Sequence, residues 1–529
     1  MRFKNSILLF LALAATLIIQ SCNNDDEGGF VAPDENPSSF SRVNNITIGG
    51  EGAAEIAAYD PATQQLFVVN NADESRIDVI DFSDPSTMQV TTSINVSSYG
   101  GGVNSVAVGN GLLAAAIEAD EATDNGLVVV FNIEGLTEEA VIGVGALPDM
   151  VTFTPNGRFI LLANEGEPSD DYTIDPNGAV SIIDASDFTV VTRDFSSFNG
   201  QEATLESNGF RVTGLNADLA ADVEPEYIAI SPDSRTAYVA LQENNGLAIV
   251  DINSQAITGL VGLGLKDYSQ SGNGIDPSDR DDQVSFRDVP SGIFGVYQPD
   301  AIDVFSVGGA NYVITANEGD GREYFYDADE ATCTANGGLD WDEDDGCLSW
   351  IDEARLDDVT LDPTVFPNAA ELQSDESFGR LKLMTTNGDT DGDGDYDQVW
   401  SYGARSFSIW DANGNLIFDS GNQLGVEVNN AGFYADGRSD DKGVEPEGVV
   451  VGQVNGRTIA FIGLERVDAV ALYDVTTPES PQFLSILETG DAPEGMVFIS
   501  AEDSPTGNSV LVVTCEDDGT VWAYSPSLN

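Results

Sequence analysis

The chain has 529 residues, 90 of them acidic and 20 basic, for a formal charge of −70, and it contains no histidine. That charge excludes a nucleic-acid partner, because phosphate backbones are neutralised by Lys and Arg; the missing histidine excludes Ser/His catalysis, His-ligated zinc and the commonest general base. A solvated extracellular surface that attracts divalent cations is what such a composition favours.

Arg2 and Lys4 precede an apolar run from Ile7 to Ile19 that ends in Gln20, Ser21 and Cys22, the pattern of an export signal over residues 1–21. The run is too short to cross a bilayer as a helix. Ser21 and Cys22, with Ile19 three residues before the cysteine, resemble the bacterial lipobox. Cys22 is then expected to carry the acyl chains that hold the protein to a membrane. Asn23, Asn24, Asp25, Asp26 and Glu27 resemble the acidic tag that sends many bacterial lipoproteins to the outer face of the outer membrane; a solvated charged tether is the alternative. Gly28 to Ser41 is polar and rich in Pro and Ser, so residues 22–41 read as a lipidated, flexible tether.

From residue 42 to 529 one frame recurs. Pro148 to Glu165 reads PDMVTFTPNGRFILLANE and Pro225 to Glu243 reads PEYIAISPDSRTAYVALQE: an alternating strand, a turn, a second strand, then Glu. It returns at Pro299 with Glu318, Pro446 with Glu465 and Pro493 with Glu516, and in weaker form near Ala54 and Val103. A third strand follows in each copy and usually closes on Asp or Asn, at Asp81, Asn132, Asp184, Asp251, Asp411 and Asp474, residues suited to the turn into a fourth strand. Repeated four-strand units with almost no helical periodicity predict an all-β, seven-bladed β-propeller. The largest insertion, about 320–378, falls in the fifth blade. A sandwich or two β domains would also use short strands, but neither predicts one frame along the whole chain.

The frame aligns two acidic positions. Glu55, Asn104, Asp149, Glu226, Asp300, Glu447 and Glu494 occupy the first; Asn71, Glu118, Glu165, Glu243, Glu318, Glu465 and Glu516 occupy the second. Antiparallel pairing puts the start of one strand beside the end of the next, so both rings are expected at one mouth of the central channel. Crowded carboxylates need neutralising. Ca²⁺, which takes six to eight oxygen ligands, is the first choice, with Mg²⁺ or iron as other occupants. The alternative is that each acid caps its own turn.

Arg322, Arg438, Lys442 and Arg466 fall beside these mouth motifs, where they would clamp a phosphate or sulfate oxyanion, or simply pair with neighbouring acids. Asp389, Asp391, Asp393, Asp395 and Asp397, in NGDTDGDGDYDQ with Gly394 at the sixth place, predict a separate Ca²⁺ loop, although Trp400 stands where an EF-hand has its Glu. Cys333 and Cys347 bracket an acidic stretch and are expected to form a disulfide. Cys515, in an apolar run, reads as a small core residue.

The segments ANEGEPSDDY, ANEGDGREY, NGDTDGDGDYD, GARSFSIWD, GRSDDKGVEPEGV and GLERVDAVALYD together resemble the choice-of-anchor I domain family, from about residue 42 to the C-terminus. The PEG motifs at Pro446 and Pro493 are similar to those of phytase-like esterase propellers. The resemblance implies kinship with proteins labelled alkaline phosphatase and with a mesenchyme-specific cell-surface glycoprotein. It implies calcium-dependent phosphoester hydrolysis; the chain is then expected to act outside the cell, as a monomer, on a small phosphorylated substrate. Glu226, Glu447 and Glu494 would then be metal ligands, and Glu243, Glu318 and Glu465 ligands or proton acceptors. The competing expectation is a non-catalytic, calcium-stabilised surface protein that binds a surface ligand.

Overall fold

The computed structural model describes residues 30–215, 218–342 and 346–529. The expected export signal and Cys22 lie outside these residues. Among the described residues no helix is long and apolar enough to cross a membrane.

The fold is all-β, and seven of its sheets have four strands each. Their first strands are Ala53–Asp60, Val103–Gly109, Pro148–Phe153, Ile228–Ile230, Ile302–Val307, Pro446–Val454 and Pro493–Ile499. Each touches the first strand of the next sheet, and the last touches the first, so they close a circuit around one axis. This is the β-propeller arrangement. Burial follows from it. Second strands such as Phe159–Asn164 and Val510–Cys515 are buried at every position, because neighbouring sheets cover both faces. Outermost strands such as Val190–Asp194 face solvent.

The cores lie between sheets. Phe159, Leu161, Val180 and Ile182 of the third sheet pack on Ile228, Val239 and Ala248 of the fourth. Each fully buried Val, Leu or Ile there contributes roughly 1.5–3 kcal/mol. The acids that close the third strands set the next turn: Asp81, Asp184, Asp251 and Asp474 accept the backbone amides of Ser83, Ser186, Ser254 and Thr476.

The last sheet is completed from the other end of the chain, where Ser41–Thr47 pairs antiparallel with Thr520–Ser525. The residues just before this strand are docked rather than free, which corrects the expectation of a flexible tether reaching residue 41. Glu35 is 1% exposed, and its carboxylate accepts the amide and hydroxyl of Ser509, each at 2.7 Å. Asn529 donates its amide to the Asp34 carbonyl at 2.8 Å. A buried carboxylate with two donors of its own holds a polar segment that composition alone marks as mobile.

In the fifth sheet the second strand, Ala310–Asn317, pairs with Ser406–Asp411. The excursion between them runs to Ser406, further than the expected end at 378. It contains short strands, the helix Glu330–Asn336 and the Cys333–Cys347 disulfide. It is tied to the body by the buried Arg211–Asp352 ion pair and by a local core around Leu356, Phe366 and Leu383.

Candidate functional site at the propeller mouth

The acidic positions are placed by a local device in the backbone. Leu147, Gln298, Glu445 and Ala492 have φ of 44°, 42°, 48° and 54°, and each stands two residues before a first-ring acid, with a proline between. A non-glycine residue in this left-handed region is strained by about 1 kcal/mol or more. The carbonyls of Leu147, Glu445 and Ala492 accept the amides of Glu165, Glu465 and Glu516, at 2.8, 3.0 and 3.1 Å, which joins the two acidic positions within one sheet. Immediately after the proline the pairing register shifts, between Pro148 and Val151, Pro446 and Val449, and Pro493 and Met496. Asp149, Glu447 and Glu494 thus sit in bulges, which turn side chains out of the regular alternation.

A channel of about 520 Å³ follows the axis. Asp149, Glu165, Glu226, Asp300, Glu318, Glu447 and Glu494 line one end of it, and Val106, Val151, Val449 and Met496 line its wall. Burial, then neighbouring carboxylates, push Asp149, Glu165, Glu226, Asp300, Glu447 and Glu494 up. Asp149 rises to about 7, and Glu165, Glu226, Asp300, Glu447 and Glu494 stand well above the usual range. Glu55 is raised to about 8 by burial, although Asn71 donates to both its oxygens at 3.2 Å and partly offsets this. Glu118 and Glu516 are raised by burial as well.

Two kinds of carboxylate can be told apart here. Glu318 is satisfied: Lys442 donates to it at 2.5 Å and Gln242 at 2.8 Å. Glu465 pairs with Arg466 at 2.8 Å and is raised only to about 7, by burial and by Glu318. Glu226, Glu243, Glu447 and Glu494 each keep a buried Oε2 with no hydrogen-bond partner. A buried carboxylate oxygen without a donor is costly unless a cation meets it. These four fit hard cations in their donor chemistry, and Ca²⁺ accepts such an all-oxygen set.

Among the basic residues, Lys442, Arg438 and Arg466 converge on Glu445, at 3.5, 2.7 and 3.4 Å. Glu445 is wholly buried, and Glu318, Glu445 and Glu465 each bring a carboxylate oxygen within 4.8 Å of the others. Glu445 was not among the residues predicted; its signal was its place beside Pro446 in GVEPEG. Arg322 is turned away into a separate network, donating to Glu224 at 2.8 and 2.9 Å, Asp222 at 3.1 Å and Thr213 at 2.9 Å.

The aspartate loop lies apart, on the exposed face of the excursion. Asp389 accepts the amides of Gly392 and Gly394, and Asp397 accepts that of Thr390. Asp389, Asp391 and Asp397 bring three oxygens within 4.8 Å, and so do Asp362, Asp395 and Asp397. Asp393 accepts the amide of Asp395. Asp362 comes from a segment that the sequence pattern did not mark, carried in by the Leu361–Tyr396 bridge. Cys515 is buried, and burial pushes its thiol up to about 12, so it is inert.

The chain is 30% identical over 190 residues to Gigasin-3a of Magallana gigas, covering 29% of this chain and 66% of that protein. It is 26% identical over 295 residues to the mesenchyme-specific cell surface glycoprotein of Strongylocentrotus purpuratus, covering 51% and 37%. The chain therefore spans just under two thirds of the one relative and little more than a third of the other. Among solved structures it is similar to Kuenenia stuttgartiensis hydrazine synthase, with TM-score 0.46, 13% identity and coverage of 92% and 98%. It is also similar to the Cps50 (Swd1) β-propeller domain of Myceliophteria thermophila, with TM-score 0.45, 8% identity and coverage of 92% and 100%. The choice-of-anchor I domain model matches residues 55–478, from the first ring acid through the third strand of the sixth sheet. With most of its length, and both acidic positions of the first six copies of the frame, inside that match, the chain belongs to the choice-of-anchor I domain family.

Proposed function

We propose that the protein is a cell-surface, cation-binding β-propeller of seven blades that hydrolyses phosphate esters at its acidic mouth. The observation that carries this reading is the set of buried, unpartnered Oε2 atoms of Glu226, Glu447 and Glu494 at the end of an open channel. These three residues would hold Ca²⁺, which supplies Lewis-acid polarisation of a phosphoryl oxygen. Lys442 fixes Glu318, and Arg466 fixes Glu465, so the rim is rigid on that side. Glu465, raised to about 7, is a carboxylate able to take a proton from an attacking water near neutral pH. A surface location, with Cys22 as the acylated anchor at the outer membrane, is supported by the export-signal pattern and by the similarity to the mesenchyme-specific cell surface glycoprotein of Strongylocentrotus purpuratus.

One observation favours a second reading, a non-catalytic surface binder. Arg322, Arg438, Lys442 and Arg466 are all paired with carboxylates, which leaves the mouth without an unpaired basic residue among these four for a phosphate. The test is turnover of a generic phosphomonoester and a phosphodiester by the purified, unlipidated chain, with Ca²⁺ and after chelation, beside Glu447→Gln. Calcium-dependent turnover lost in the variant supports hydrolysis at the mouth. A folded, calcium-loaded protein inert on both esters overturns it in favour of the binder.

A further inference from the structure

Beside the axis lies a second chamber, of about 230 Å³, enclosed by Glu165 and Glu167, by Glu224 and Glu226, by Glu243 and by the start of the excursion at Asp320 to Tyr324. Two repeats of the same tetrapeptide build its walls. In ANEG at 163–166 and again at 316–319 the glycine has φ of 74° and 90°, and a Cβ would lie 2.8 Å and 2.0 Å from backbone atoms. Only glycine permits that turn, and it brings the acid two residues beyond the ring, Glu167 in one copy and Asp320 in the other, to the chamber.

Charge is unbalanced inside it. Arg322 is the basic residue in the wall, and its guanidinium is engaged by Glu224, Asp222 and Thr213. Glu224 is thereby matched, whereas no basic partner is found for Glu165, Glu167, Glu226 or Glu243 among the ion pairs of the described residues. Glu243 is 7% exposed and its Oε2 accepts no hydrogen bond; the Oε2 of Glu226 is in the same state. Buried carboxylate oxygens left this way, facing a cavity, are what a cation site looks like before its ion is counted.

We propose that this chamber is a second divalent-cation site, off the axis, whose protein ligands are Glu165, Glu167 and Glu243, with Glu226 on the partition between it and the channel. The chamber has room for several waters at about 30 Å³ each, so the ion keeps part of its hydration shell, as Ca²⁺ commonly does. Entry is from the side. Glu167, Glu323 and Tyr324 line both the chamber and an outer cleft of about 430 Å³ that also carries Asp170, Asp171 and Asp327, an acidic approach that concentrates cations.

Tyr324 gives the site its own reporter. Its ring lies in the wall and is stacked on Trp350 with centroids 5.5 Å apart, so Tb³⁺ bound there in place of Ca²⁺ is excited through these rings. The experiment titrates Ca²⁺ by calorimetry, and Tb³⁺ by ring-sensitised luminescence, into the chelated, unlipidated chain and its Glu243→Gln, Glu167→Gln and Glu447→Gln variants. The expected result is that Glu243→Gln loses one ion per molecule and at least half of the luminescence, with Glu167→Gln weakening the same step about tenfold or more. Glu447→Gln should lose a different ion and keep the luminescence. Unchanged stoichiometry and luminescence in both Glu243→Gln and Glu167→Gln overturn the second site while leaving the axial one standing. Loss of the same single step in all three variants also overturns it, by reducing the two sites to one.

Discussion

Glu445 and Glu447 stand two positions apart and should respond in opposite directions to the same change. Glu445 holds Lys442, Arg438 and Arg466 in a wholly buried cluster. Glu445→Gln leaves those cations short of a partner, and a loss of about 3 kcal/mol in unfolding free energy is expected by urea titration. Glu447 has an oxygen with no partner, so Glu447→Gln should stabilise the chelated protein by about 1 kcal/mol and at the same time weaken Ca²⁺ binding. A Glu447→Gln variant that unfolds more readily than the parent in chelator would mean that this carboxylate is satisfied after all. The ring acids were legible in the sequence because a proline, an acid and a strand-closing Glu recur in the same order. Their partners were not: Arg322 reaches Glu224 across 98 residues, and nothing local in GDGREY announces it. Asp362 and Glu167 were hidden for the same reason, since their roles depend on the segments that fold against them.

At the level of elements, the strand order was readable because six of the seven copies close their third strand on an Asp or Asn that sets the next turn. The extent of the excursion was harder to read. Its return strand Ser406–Asp411 has the same alternation as any third strand, while the segments before it pair among themselves in small sheets. The Cys333–Cys347 link closes a loop with a sequence separation of 14 inside this excursion. Its stabilising effect, about 3 kcal/mol for a loop of that size, is therefore local. Reduction should expose residues 326–350 to limited proteolysis, with little change in the melting of the main sheets as followed by far-UV circular dichroism. A global loss of the β signal on reduction would show that the excursion is instead required to keep the sheets together.

For the whole molecule, the proposed calcium binding would couple to pH through the mouth. Burial and mutual repulsion raise Glu55 from 4.5 to about 8 and Asp149 from 3.8 to about 7. Without a cation, the folded protein holds protons on these groups at pH values where the unfolded chain has already released them. Stability is therefore greatest below about 4.5 as far as these groups are concerned, and it is lost as pH rises toward 8. The chelated protein should melt at higher temperature at pH 5 than at pH 8, and saturating Ca²⁺ should raise the melting temperature most at pH 8. A chelated protein that becomes steadily more stable from pH 5 to pH 8 would contradict the crowded, uncompensated ring. The closing strand adds a mechanical consequence. Glu35 on Ser509, Asp34 on Asn529 and Ser41–Thr47 on Thr520–Ser525 lie in series between the N-terminal segment and the last sheet. Tension applied ahead of Phe30 is borne first by that clasp and then by the closing strand. Loss of the strand leaves the last sheet and the first, the two that carry Glu494 and Glu55, joined by their facing core. A pull on the segment ahead of Phe30 would therefore load the same seam that holds Glu494 beside Glu55.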